Sequence, residues 1–168
     1  MNNLPELSTL NVVPPSYWVV PLPKDSPLPY ISQTALKRVK DYIPMVSSCP
    51  YCGGRVKLVN NREIYSKSVG DWPFAFACQN CDAYCSVHAD TDLPMGTLAN
   101  AELRKLRSTG KQLFTELVVK LKAHRATVYA TLAVAMNIPK SSCHWGWFTV
   151  EQCHQAIKIV NEELSRGR

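Results

Sequence analysis

The 168-residue chain contains no apolar run of about eighteen residues, the length a helix needs to cross a bilayer. No membrane is therefore expected among its partners. The first residues, MNNLPELSTLNVVPPS, lack the basic start and apolar stretch of a signal peptide. The expectation is a cytoplasmic protein. Internal repeats and low-complexity tracts are absent too. Acidic residues are scarce in one place above all: across 104–125 only Glu116 faces Arg104, Lys105, Arg107, Lys111, Lys120, Lys122 and Arg125.

That scarcity accounts for the whole net charge of +6. Residues 1–94 carry eight basic and eight acidic side chains, and residues 95–168 carry eleven and five. A concentrated positive field favours an anionic partner, nucleic acid first. The bland alternative is a solvated helix face that keeps the protein soluble. Arg104, Arg107 and Lys111 recur at helical spacing, and Lys120, Lys122 and Arg125 extend the row. Such a row suits phosphates, with steep salt dependence and little sequence preference.

With 46% hydrophobic residues, the length suffices for one ordinary domain, or for a small metal module joined to a helical one. Seven of the twelve prolines fall before residue 30. Proline lacks an amide donor and fixes φ, so residues 1–31 read as an extended arm, with Tyr17, Trp18, Val19 and Val20 apolar enough to dock it. A helix is predicted at 33–43, capped by Ser32 and stopped by Pro44. Residues 49–88 read as β. Arg55 to Val59 alternates, Arg62 to Tyr65 could pair with it across Asn60 and Asn61, and Phe74 to Ala77 forms a further strand.

Beyond Pro94 the pattern turns helical. Leu98 to Ser108 predicts one helix with Thr97 or Asn100 as cap. Gln112 to Arg125 predicts another that buries Phe114, Leu117, Val118 and Leu121, with Gly110 as separator or weak point. Thr127 to Met136 predicts a third. In the last helix Thr149 and Gln152 form a capping box, Phe148 with Cys153 fits the flanking staple, and Cys153, Ala156, Ile157, Val160 and Leu164 give an apolar stripe.

Seven cysteines in a reducing compartment argue for metal more than for disulfides. Cys49 and Cys52 form one C-x-x-C, and Cys78 and Cys81 another. Each such loop turns two sulfurs toward one point, and two loops supply the four thiolates of a structural zinc site. Cys-Pro-Tyr-Cys is also the active-site sequence of glutaredoxins, where the first cysteine opens a helix. Here Gly53, Gly54 and an alternating strand follow instead. A four-thiolate site has no open coordination position, so one structural Zn²⁺ that drives folding is expected, without catalysis.

Weaker constellations have bland readings beside them. His88, Asp90 and Asp92 could gather a divalent metal, or simply form a polar loop. Cys85 with His88 could be a spare ligand pair, or packing groups. Cys143, His144, Cys153 and His154 suggest a second zinc, but Cys153 and His154 are adjacent on a helix and point about 100° apart. Trp145, Trp147 and Phe148 could stack on bases or anchor a protein, or close the helical core.

The segments CPYCGG at 49–54, EIY at 63–65, CQNCDAYCSVH at 78–88 and PMGTLANAELRKLR at 94–107 resemble a zinc-finger-containing domain of unknown function from bacteria and their phages. RATVYATLAVAMNI at 125–138 and CHWGWF at 143–148 fit it as well. The resemblance covers roughly the last 120 residues and implies a zinc ribbon with helices packed behind it, but no activity. Where that pattern has a His, and an Asp four residues on, this chain has Lys111 and Thr115, and Cys85 replaces a valine-like residue. Any chemistry of that pair is in doubt here.

The expected architecture is α+β. It has an extended arm (1–31), a short helix with a zinc-ribbon β module (32–94), and a basic helical region of about four helices (95–168). The expected function is a non-catalytic, zinc-binding, nucleic-acid-associated module. In it Arg104, Arg107, Lys111, Lys120, Lys122 and Arg125 contact phosphates, with Tyr51 or Tyr84 as a base-stacking edge. The alternative is an interaction factor that binds and modulates a host protein. A third reading is a metal-dependent nuclease using His88, Asp90, Asp92 and Glu102.

Overall fold

The computed structural model describes residues 22–166; the expectation for Tyr17 to Val20 lies outside them. The chain divides into two compact units, Met1–Leu98 and Ala99–Arg168. The content is mixed α+β: a three-stranded antiparallel sheet in the first unit and longer helices in the second.

In the first unit, Ser32 caps helix α1 (Gln33–Arg38) by accepting from the Ala35 amide at 3.3 Å. The helix is shorter than the predicted 33–43. Ala35 is buried and Leu36 packs on the core, but farther on Ile43 is only half-buried and Tyr42 is 45% exposed. With little to bury beyond Leu36, a few more turns of an isolated helix would not hold, and Val39 is already extended.

Strands β1 (Val56–Asn60), β2 (Phe74–Cys78) and β3 (Tyr84–Ser86) pair in that order. The predicted partner of β1 is wrong. Residues Arg62–Tyr65 form a helical turn, α2, and β1 pairs instead with β2, Val56 opposite Cys78 and Asn60 opposite Phe74. The asparagines explain the difference. Asn60 Oδ1 accepts from the Arg62 amide at 2.9 Å, and the Asn61 side chain holds Val69 through both its amide and its carbonyl. These local bonds satisfy the backbone of a loop and compete with a tight hairpin.

One sheet face carries Leu58, Phe74 and Phe76, which join Leu28, Ile31, Leu36, Trp72 and Val87 in one apolar cluster. Fully burying each of its large side chains contributes about 2 kcal/mol. Residues 28–31 of the arm thus belong to the core of this unit.

The second unit contains α3 (Ala101–Leu121), α4 (Arg125–Ala135), a 3₁₀ turn (Lys140–Ser142) and α5 (Val150–Ser165). Asn100 caps α3. The two helices predicted across 98–125 are one helix of 21 residues. Gly110 does not break it. It is buried, and a Cβ there would overlap the ring of Trp145. Its role is close approach of an aromatic ring to the helix backbone. Phe114 and Leu117 are buried as predicted, but Leu121 is 50% exposed, at the frayed end where Lys122 turns left-handed. α4 starts at Arg125, earlier than predicted, because His124 Nδ1 accepts from the Ala126 amide. The capping box at Thr149 and Gln152 is present, and Phe148 and Cys153 are both fully buried.

Gly110→Ala tests the close approach. Alanine gains about 1 kcal/mol in helix propensity. Displacing the Trp145 ring costs more, so a net loss of about 1–2 kcal/mol in urea unfolding is expected. Stabilisation by the substitution would show that the ring yields freely.

Candidate metal centre

The first cysteine loop closes locally. The Gly53 amide donates to Cys49 O at 2.9 Å, and the Cys49 amide donates to Gly54 O at 2.8 Å. Gly53 sits at φ +72, a conformation that disfavours a side chain. A Cβ on Gly54 would lie 2.8 Å from Asn80 Cβ and 3.0 Å from Cys78 Sγ. The glycine pair thus turns the chain and lets the second loop approach the first. That second loop closes through the Cys78 amide, which donates to Ala83 O at 2.9 Å. Tyr51 Oη donates to Leu98 O at 3.3 Å and anchors the first loop.

The four sulfurs converge. Cys49 and Cys81 Sγ are 3.6 Å apart, Cys52 and Cys78 Sγ 3.4 Å, and all four lie within 4.8 Å of one another. Four thiolates on a tetrahedral Zn²⁺ have sulfur–sulfur edges of about 3.8 Å. The donor set therefore fits one zinc ion. Cys49 and Cys78 are buried, Cys81 is half-buried, and Cys52 faces solvent.

The electrostatics point the same way. The Asn80 amide lies 3.4 Å from Cys78 Sγ and is the main cause that holds that thiol down to about 7. Cys81 feels the Ala83 amide, which favours its thiolate, yet burial and the neighbouring sulfurs outweigh it and push the thiol up to about 12. Cys52 is raised in the same way against the Gly54 amide. Four thiols this close cannot all ionise alone; a dication removes the repulsion. Zinc would hold the two loops together and leave no open position for substrate. Neither loop opens a helix, because β1 follows the first and β3 the second. The glutaredoxin arrangement is therefore not formed.

Among the described residues, no other group of three or more His, Cys, Asp or Glu side chains could hold a metal. His88 is partly buried, and burial lowers its pKa. Asp90, at φ +61, accepts from Tyr30 Oη at 2.8 Å, and its carboxylate lies 3.9 Å from Arg38. Burial first, and then that carboxylate, push Tyr30 up to about 12. Thr91 Oγ1 donates to His88 O, so this segment is a hydrogen-bonded turn. Asp92 is half-buried, and Glu102 is exposed in the first turn of α3. Cys85 Sγ donates to Gly96 O. Cys143 and Cys153 are buried in the helical core; burial pushes Cys143 up to about 11 and also raises Cys153. His144 stacks on Trp147, with centroids 4.2 Å apart, while His154 is exposed. Trp145 and Phe148 close the helical core, and Trp147 is half-buried.

The six cations of the basic row fare differently from one another. Arg107 donates through Nε and Nη2 to Phe148 O at 3.1 and 2.8 Å. Lys120 Nζ donates to the carbonyls of Glu163, Leu164 and Arg166, and so caps the C-terminal end of α5. Arg125 lies over the rings of Phe114 and Tyr129, 5.1 and 5.7 Å from their centroids. Arg104 donates to Ala99 O at 2.7 Å. Lys111 and Lys122 are exposed, as is Lys105. Tyr84 meets Tyr65 edge to face, and Tyr51 is 43% exposed. No spacing rule marks Arg107 and Lys120 as residues that serve the fold, because their acceptor carbonyls lie more than 40 residues away in sequence.

Purified protein is expected to carry one zinc per chain, read by elemental analysis, with Cys49→Ser or Cys78→Ser losing it. Zinc binds thiolates, and Cys81 is protonated through the neutral range in the metal-free site. Uptake therefore releases protons, and affinity should fall as pH drops through about 7, where Cys78 also protonates. Affinity that is flat with pH would argue against thiolate ligation.

Comparison with curated proteins and with solved structures finds no match. A family profile described as a zinc-finger-containing domain matches residues 45–163, which hold both cysteine loops, the whole sheet and all three long helices up to the last turn of α5. On that match and on the convergence of the four sulfurs, the chain belongs to the zinc-finger-containing domain family.

Proposed function

We propose that this protein is a non-catalytic binding module, organised by zinc, whose partner is another protein. The observation that carries this reading is the use of the basic row. Lys120 and Arg107 are committed to carbonyls of their own chain, and Arg125 to aromatic rings. A cation that closes a helix end or pins a loop is not available to track phosphates. The first unit meanwhile exposes Tyr42, Val46, Tyr51, Val69 and Met95, each at least 43% accessible. Exposed aromatic and apolar groups of this kind anchor protein interfaces. A partner of host origin is the form suggested by the resemblance to phage-borne domains. The closed donor set, with no second candidate metal cluster among the described residues, leaves little support for a nuclease.

A nucleic-acid partner is the second reading, and exposed Lys105 and Lys111 on α3, with Lys122 just past its end, favour it. Salt separates the two. Three phosphate contacts on duplex DNA would lose about 40-fold in affinity between about 50 and about 200 mM salt. The expected result is no saturable binding to single- or double-stranded nucleic acid at the lower salt. Binding with that slope, removed by joint Lys105→Ala, Lys111→Ala and Lys122→Ala, would install the second reading.

A further inference from the structure

The open edge of the sheet lies in a groove of about 790 Å³, lined by Val56, Lys57 and Leu58 on one side and by Leu22, Pro23 and Leu28 on the other. The direction of the strand's hydrogen bonds follows from its neighbours. The Val56 amide points off the sheet, to Ser47 O at 2.9 Å, and the opposed Cys78 amide points to Ala83. The Val56–Cys78 pair therefore exchanges no bonds. In an antiparallel ladder bonded and non-bonded pairs alternate, so Lys57–Ala77 and Val59–Ala75 are the bonded ones. Asn61, donating to Pro73 O at 2.7 Å, continues the alternation. Leu58 thus turns both its N–H and its C=O away from β2, into the groove, and Asn60 turns its N–H the same way.

The facing wall has few free donors to offer them. Pro23 and Pro27 have no amide donor. The Ser26 amide is already given to Pro23 O at 3.1 Å, and the Leu28 amide to Ser26 Oγ at 3.2 Å. Ser47 and Ser48 lie beside Val56 and Arg55, but among the described residues the edge from Lys57 to Asn60 has no strand beside it; proteins otherwise cover or charge such an edge.

We infer that this groove takes an extended segment of a partner protein, added as a fourth strand beside β1, with apolar and acidic residues in alternation. This rests on the reading that the partner is a protein. Main-chain bonds to Leu58 supply pairing, and the side chains of alternate residues supply selection. Residues on one face of the added strand meet Leu22, Leu28 and Leu58 and extend the apolar cluster already there. Residues on the other face meet Lys57, exposed and lining the groove, with the exposed Arg55 side chain farther along it, where Ser48 holds the edge. Asp25 and Asp92 line it as well, so a carboxylate is accepted on the Lys57 side and rejected toward the arm.

The test uses the full zinc-loaded chain and an acetylated hexapeptide of alternating valine and glutamate, followed by amide NMR and hydrogen exchange. In the unliganded chain the Leu58 amide should exchange fast while those of Lys57 and Val59 are slow. The peptide should shift and protect Leu58 and Asn60. A copy N-methylated at alternate amides should bind at least about fivefold more weakly, the effect of one lost main-chain bond. A valine–lysine copy should also bind more weakly. Leu58→Pro removes the outward donor of an edge position together with part of the Leu58 packing, so it should reduce binding, with zinc content unchanged as the sign that the unit still folds. Equal binding of the N-methylated copy would reduce the interaction to charge and overturn the proposal. A Leu58 amide already protected in the unliganded chain would mean that a second copy or the chain's own leading residues cover the edge, and would overturn it too. A silent Leu58 amide also overturns it, yet leaves the protein-partner reading to stand or fall on the salt titration.

Discussion

Four sulfurs that two backbone-closed loops bring together, and that repel one another as thiolates unless a cation joins them, set the structure of the first unit. Its strands have five, five and three residues. A sheet so short has little independent stability. The sulfurs lie where the sheet most needs support, with Cys78 ending β2 opposite the first residue of β1. Binding energy at such a site is folding energy. The perturbed thiols express the same constraint: the Asn80 amide holds Cys78 down while burial and the neighbouring sulfurs push Cys81 up, so the cluster does not ionise as one without a cation.

The second unit is held by different means, and its charge belongs to those means. A 21-residue helix carries five basic residues against two acidic ones, but several of the five act as structural donors. Lys120 reaches three carbonyls at the end of α5, where the helix dipole also favours a cation. Arg107 fixes the carbonyl of Phe148, one residue before the cap of α5. Net charge read along a chain measures solubility and long-range field. It does not say how many cations remain for a ligand once the helix ends have been satisfied.

What could be read beforehand was local. The paired C-x-x-C loops, the Thr149 box and the stripe on α5 are complete within a few residues, and each appears where the pattern placed it. The failures concern partners distant in sequence. Alternation at Arg55 to Val59 announces a strand but not its mate, and Asn60 with Asn61, signs of a tight hairpin, here bind their own loop. Gly110 reads as a breaker in one dimension; it is a contact surface only because Trp145 lies against it. The limit of α1 is of the same kind, since its length is set by what Leu36 finds to bury. The acceptors of Arg107 and Lys120 lie 41 and more than 40 residues away, beyond any periodic rule.

On the inferred docking of a partner strand, the metal and the strand edge divide the work of the first unit. A closed tetrahedral site stabilises without offering chemistry, so its contribution must be to hold something else in a fixed geometry. In this unit it fixes the start of β1, through the loop between Cys49 and Gly54 and the bond from Val56 to Ser47. A strand pinned at one end keeps its register, and an edge of constant register can select side chains by alternation. Pro23 and Pro27 on the facing wall offer that strand no amide donor. Loss of zinc would then abolish recognition by loosening the frame of β1 rather than by removing any contact. This follows from the order of the chain: the residues that hold the metal and those that would meet a partner are separated by three positions, Cys52 and Arg55.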